Sequence, residues 1–177
     1  MRIFLIGFMG SGKSTLGRPL AAKLGYKFID QDALIEERFK MSISEVFATY
    51  GEAKFREAEH EVLKSFEASD NLVIATGGGA PCFFDNILIM NNIGFSIYLK
   101  IEPKTLVNRL KTSFTSRPLI AGKSEKELLE YVTEKLSERE PFYNKATVSI
   151  KALDIKVSDI MQVLNHCLNL QLKTNNL

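Results

Sequence analysis

The chain has 177 residues, long enough to bury a substantial core in one domain. Its 45% hydrophobic and 25% charged residues exclude a disordered or fibrous design, and a formal charge of +2 excludes a large basic footprint for nucleic acid or an anionic membrane. Cys82 and Cys167 stand far apart without metal-ligand spacing, so neither a disulfide framework nor a zinc site is expected, and a reducing cytoplasm fits. The amino-terminal apolar run is too short for a secretory signal and no other run approaches membrane length, so a soluble, unprocessed protein is expected.

Apolar runs at residues 2–6, 26–29, 72–75, 95–99 and 147–150, with helix-length segments between them, predict five strands of a parallel α/β sheet. Directly after the first run stands Gly7-Phe8-Met9-Gly10-Ser11-Gly12-Lys13-Ser14, which fits the phosphate-binding pattern G-x-x-x-x-G-K-[S/T]. A strand feeding a glycine-rich turn and then a helix aims backbone N–H groups and the positive end of the helix dipole at one concavity, whose natural occupant is a nucleotide polyphosphate. Gly7, Gly10 and Gly12 let the backbone turn and approach phosphate, Lys13 would reach the β and γ phosphates, and the Ser14 hydroxyl would sit on Mg²⁺. Residues 13–24 read as a helix ended by Gly25, with a local bend expected at Pro19, which lacks the N–H that would bond the Thr15 carbonyl.

The next informative segment is Phe28-Ile29-Asp30-Gln31-Asp32. It offers two carboxylates at i and i+2 at a strand's carboxyl end, where alternation can put both on one side and where ligands of parallel sheets collect. The strand at 72–75 ends in Thr76-Gly77-Gly78-Gly79 and offers no acid, so one of this Asp pair is expected to support hydrated Mg²⁺ and the other to accept a proton from an attacking hydroxyl. The simpler account is that either Asp caps the following helix. Ser42-Ile43-Ser44-Glu45 and Ser124-Glu125-Lys126-Glu127 match capping boxes, the second opening a helix through about Arg139. The turn-rich segment 112–123 before it is a candidate lid. Asn144-Lys145-Ala146-Thr147 lacks the Asp of a guanine reader, and no basic, aromatic-interleaved stretch offers a nucleic acid site, so a small metabolite is the expected acceptor.

The phosphate loop, Phe28-Ile-Asp-Gln-Asp32, Gly51-Glu-Ala-Lys-Phe-Arg56, Thr76-Gly-Gly-Gly79, Arg117-Pro-Leu119 and Arg139-Glu-Pro-Phe-Tyr143, in this order, closely resemble the shikimate kinase family over roughly residues 1 to 150. The resemblance implies a three-layer P-loop nucleoside monophosphate kinase-like fold, with a central five-stranded parallel sheet of order 2-3-1-4-5 and a mobile lid. It implies one domain over 1–177, with a phosphate loop at 7–15, a substrate-binding helical region at about 31–62 and the lid at about 112–123. The implied activity is ATP-dependent phosphorylation of the shikimate 3-hydroxyl to shikimate 3-phosphate and ADP, on the route to chorismate and aromatic amino acids. Mg²⁺ is the implied cofactor, ATP and shikimate are the implied ligands, and a monomer without nucleic acid or membrane partners is implied.

Carried over by matching motif, Gly10, Ser11, Gly12, Lys13, Ser14 and Thr15 would bind the ATP phosphates, with Arg109 toward adenine. Asp32 would bind the shikimate hydroxyls and act as base, while Asp30 would stand near the metal through water. Arg56 and Arg139 would hold the substrate carboxylate in planar guanidinium forks, and Gly78 would offer its N–H between Gly77 and Gly79. Lys13 and the lid residue Arg117 would stabilise charge developing on the transferred phosphoryl.

Simpler accounts stand beside these roles: a helical Glu52–Arg56 ion pair, a dipole response for Arg139, and core packing for Phe47 and Phe55. Glu59, one turn beyond Arg56, is a candidate to orient it, whereas His60, His166, Cys82 and Cys167 lack partner spacing for catalysis. Two further readings are another small-molecule kinase of this fold, acting on gluconate or a nucleotide, and a catalytically silent nucleotide-binding regulator. Retention of Lys13, Ser14, Asp30, Asp32 and Arg117 together argues against the latter.

Overall fold

Five short runs rich in Ile, Val, Leu and Phe form strands β1 (Arg2–Ile6), β2 (Lys27–Asp30), β3 (Leu72–Ala75), β4 (Phe95–Lys100) and β5 (Val148–Lys151). The structure, a computed structural model, describes residues 1–112 and 122–174. All strand pairs are parallel and the sheet order is β2-β3-β1-β4-β5, the order expected for the P-loop nucleoside monophosphate kinase-like fold. Ile3, Phe4, Leu5 and Ile6 are buried completely, as a central strand covered on both faces must be.

The helices are α1 (Lys13–Leu24), α2 (Gln31–Phe39), α3 (Ile43–Ser65), α4 (Asn86–Ile93), α5 (Pro103–Thr112), α6 (Glu125–Tyr143) and α7 (Val157–Thr174). α1 lies close on the sheet because Gly17 has no side chain: a Cβ there would stand 2.6 Å from Phe28 Cε2 and 3.1 Å from Leu5 Cδ1. Its residue range continues through Pro19, which is exposed, as is Thr15, whose carbonyl Pro19 cannot cap. The Gly25 N–H then closes the helix onto the Ala21 and Ala22 carbonyls. No helix among the described residues is long and apolar enough to cross a membrane.

Both capping boxes form, Ser42 with Glu45 and Ser124 with Glu127. Two helices depart from the sequence expectation or add to it. α3 is interrupted at Gly51 (φ 78, ψ 171), which separates its capped beginning from the half that carries Arg56 and Glu59. α6 does not stop near Arg139 but continues through Pro141 to Tyr143. Tertiary anchoring outweighs the proline: Tyr143 is completely buried, and its hydroxyl donates to the Gly78 carbonyl.

Strand register brings the site together. Leu5 and Asp30 are both paired with Ala75, so β1, β2 and β3 end side by side. From that edge β1 runs into the phosphate loop, β2 into Asp30 and α2, and β3 into the glycine loop 76–79. Of the candidate lid, residues 113–121, Arg117 included, lie outside the described residues.

Candidate active site

The phosphate loop turns onto α1 through Gly12, the residue before the helix, at φ 95, a conformation glycine adopts at little cost. Lys13 Nζ donates to the carbonyls of Gly7 (2.9 Å) and Phe8 (3.1 Å), which holds its ammonium over the loop. Ser11 Oγ is buried and has no hydrogen-bond partner among the described residues. Thr15, on the exposed side of α1's first turn, completes the loop's contribution to the cavity wall.

Ser14 Oγ donates to Asp30 Oδ2 at 2.8 Å. Asp30 occupies the position before α2 yet makes no side-chain capping bond, so its carboxylate is turned to the phosphate loop and not to its own helix. This hydroxyl and carboxylate form an all-oxygen pair beside a phosphate cradle. That donor chemistry fits Mg²⁺, which takes one or two protein oxygens and fills its shell with phosphate and water.

Asp32 reaches the same cavity by a different route from the one its spacing predicts. It is not on a strand: β2 ends at Asp30, and Asp32 sits in the first turn of α2. Helix geometry, and not strand alternation, therefore directs it inward. Burial pushes its carboxyl above the ordinary 3.8, with the Lys13 charge opposing and Asp30 and Glu36 reinforcing the rise.

Across the cavity, Arg56 is only 9% exposed. The simple helical pair is present, since Arg56 Nη2 donates to Glu52 Oε1 at 3.0 Å. The same guanidinium also donates from Nη1 to Glu59 Oε2 at 2.9 Å, and its Cζ lies 4.1 Å from the Phe83 ring centroid and 5.0 Å from that of Phe55. Glu59 is completely buried, and burial pushes its carboxyl up to about 7 against the pull of Arg56. Phe47 and Phe55 stack on each other at 4.5 Å, and Phe55 borders the cavity.

The three glycines after β3 are close-approach positions. A Cβ on Gly77 would stand 2.3 Å from Glu59 Oε1 and 2.9 Å from Asp32 Oδ1, and one on Gly79 would stand 2.7 Å from Arg56 Nη1. Gly78 faces Arg139, whose Nη1 would lie 3.5 Å from a Cβ there and whose Cζ stands 5.2 Å from the Phe8 ring centroid. Cys82 is near both arginines, but burial pushes its thiol up to about 11, so it stays protonated at neutral pH. His60 is taken up by Asn86 Oδ1 at 2.6 Å.

One cavity of about 1330 Å³ runs from Arg56, Glu59 and Arg139 past the glycine loop, Asp32 and the phosphate loop to Arg109. Arg109 Nη1 approaches the Ser11 carbonyl at 3.4 Å. Beyond it the wall is built by Ala152, Asp154, Ile155 and Lys156, following β5, residues that motif reading did not single out. The position was available in principle, because this segment leaves the carboxyl end of a parallel strand, where ligands gather.

The family model described as shikimate kinase matches residues 9–169. A shikimate kinase of Bacteroides fragilis is 47% identical over 146 residues, which cover 82% of each chain. The crystal structure of shikimate kinase from Bacteroides thetaiotaomicron is 42% identical, with a TM-score of 0.89, covering 96% of this chain and 98% of that one. That of Acinetobacter baumannii shikimate kinase in complex with shikimate is 32% identical, with a TM-score of 0.79, covering 99% and 93%. With matches of this extent carried by both the sequence and the fold, the chain belongs to the shikimate kinase family.

Proposed function

We propose the following division of labour for ATP-dependent phosphorylation of the shikimate 3-hydroxyl. The observation that carries it is the convergence of a phosphate loop, a buried acid and two arginines on one cavity. Backbone N–H groups of Gly10 to Thr15 and the Lys13 ammonium bind the ATP phosphates, with Arg109 and the segment after β5 at the base. Ser14 and Asp30, the latter through water, hold Mg²⁺, which neutralises phosphate charge when bound.

At the other end, Arg56 and Arg139 clamp the carboxylate of shikimate, and the Gly78 N–H fixes its ring against the glycine loop. Asp32 accepts the proton of the 3-hydroxyl as that oxygen attacks the γ-phosphorus, while the bond to the bridging oxygen of ADP breaks and Lys13 steadies the departing charge. Arg117, outside the described residues, is assigned to the same developing charge on the family motif. We place these roles in a single cytoplasmic domain acting as a monomer, with the lid at about 112–123.

The test is ADP release with MgATP across shikimate, quinate, gluconate and AMP. Turnover with shikimate alone is expected; preference for gluconate or AMP, or release independent of any acceptor, overturns the assignment.

A further inference from the structure

Between the two aspartates lies Gln31, the first residue of α2, completely buried. Both ends of its amide are engaged: Nε2 donates to the Glu59 carbonyl at 2.9 Å, and Oε1 accepts from the Gly77 N–H at 3.2 Å. One partner is an acceptor and the other a donor, and a neutral amide held in one orientation satisfies both. The bonds link three separate pieces of chain: the start of α2, the Arg56-bearing half of α3, and the loop after β3.

We propose that Gln31 is a positioning residue that sets the acceptor half of the site by fixing the glycine loop against Asp32 and Glu59. The inference rests on the assignment of this half to shikimate. The spacing it controls is narrow, since the point where a Gly77 Cβ would stand is 2.3 Å from Glu59 Oε1 and 2.9 Å from Asp32 Oδ1. A shift of the loop relative to α2 therefore alters the distance between Asp32 and the Gly78 N–H, and the freedom of Arg56 beside Gly79. Among the described residues Gln31 makes no hydrogen bond to the phosphate loop, which is tied to this segment through the Ser14–Asp30 bond, so the larger effect is expected on the acceptor half.

The experiment compares wild-type protein with Gln31→Leu and Gln31→Glu in shikimate and ATP titrations, alongside thermal melts. Gln31→Leu keeps bulk but removes both bonds, and it is expected to raise KM for shikimate on the order of tenfold while KM for ATP stays within about twofold. Gln31→Glu keeps the acceptor for Gly77 but, when ionised, sets a buried charge against the Glu59 carbonyl and beside Asp30 and Asp32, so a rise for shikimate at least as large as that of Gln31→Leu is expected, with KM for ATP again the smaller change. A lowered melting temperature with KM for shikimate unchanged, or equal rises for both substrates, overturns the proposal. If Gln31→Leu does not fold, Gln31→Glu is read by the same criteria. Failure of the wild type to phosphorylate shikimate defeats the assignment of the site itself; a working wild type with indifferent variants defeats only the role of Gln31.

Discussion

Arg56 Nη1 donates to Glu59 Oε2 at 2.9 Å within a site where Glu59 is completely buried and Gly79 leaves no room for a side chain over the guanidinium. A buried charge without a partner is strongly unfavourable, so this pair holds the guanidinium in one place before a substrate arrives. The other Arg56 contact, to the half-exposed Glu52, is the weaker, solvent-screened one.

Glu59 makes stability depend on pH in a definite direction. Its carboxyl is raised from 4.5 to about 7 by burial, with Arg56 opposing. Between those values the folded protein keeps a proton that the unfolded chain releases, so the stabilisation is fully present below pH 4.5 and is lost as pH rises through about 7. Thermal melts of wild type and Glu59→Gln across this window are expected to show a steeper fall with rising pH for wild type. Parallel curves would reject the assignment.

Asp32→Asn is expected to lower kcat by about 10²- to 10⁴-fold, the usual worth of a general base, while nucleotide affinity is largely kept. The wild-type rate should fall on acidification as Asp32 takes a proton. Because burial raises this carboxyl above 3.8, the acid limb should lie at higher pH than for a solvated aspartate. The pH profile of kcat/KM for shikimate, which reports ionisations of the free enzyme, checks this, and near-normal turnover of the variant removes Asp32 from the role.

The phosphate loop, both capping boxes and the strands are local patterns, each decided by a few adjacent residues, and each strand lies within a residue of its expected range. Strand alternation accounts for Asp30 but not for Asp32, because β2 passes into α2 with no residue between, and five residues cannot separate a period of two from one of 3.6. The passage of α6 through Pro141 and the closeness of Gly77 to Glu59 depend on chain segments far apart in sequence. So does the wall after β5, which no motif marks.

Gly77→Ala isolates one of those distant contacts. Its Cβ would stand 2.3 Å from Glu59 Oε1 and 2.9 Å from Asp32 Oδ1, so both carboxylates must turn away, Glu59 at the expense of its hydrogen bond with Arg56. A loss of about 1 to 3 kcal/mol is expected from such overpacking, together with reduced shikimate turnover. Urea melts and steady-state assays measure the two effects; unchanged stability would mean that the acids are loosely held.

Arg139→Ala tests the second arm of the carboxylate clamp. Arg139 stands near the end of α6 and faces both Phe8 and the Gly78 backbone, so it could serve the nucleotide loop or the acceptor. If it binds the acceptor carboxylate, the variant loses a charged hydrogen-bonded pair worth about 1.5 to 3 kcal/mol, which corresponds to a rise of about 10- to 150-fold in KM for shikimate. KM for ATP should change little. Arg139→Lys should recover only part of the loss, because an ammonium supplies the charge without the planar fork. Equal weakening of both substrates would place Arg139 with the phosphate loop, and full rescue by lysine would reduce its part to charge alone.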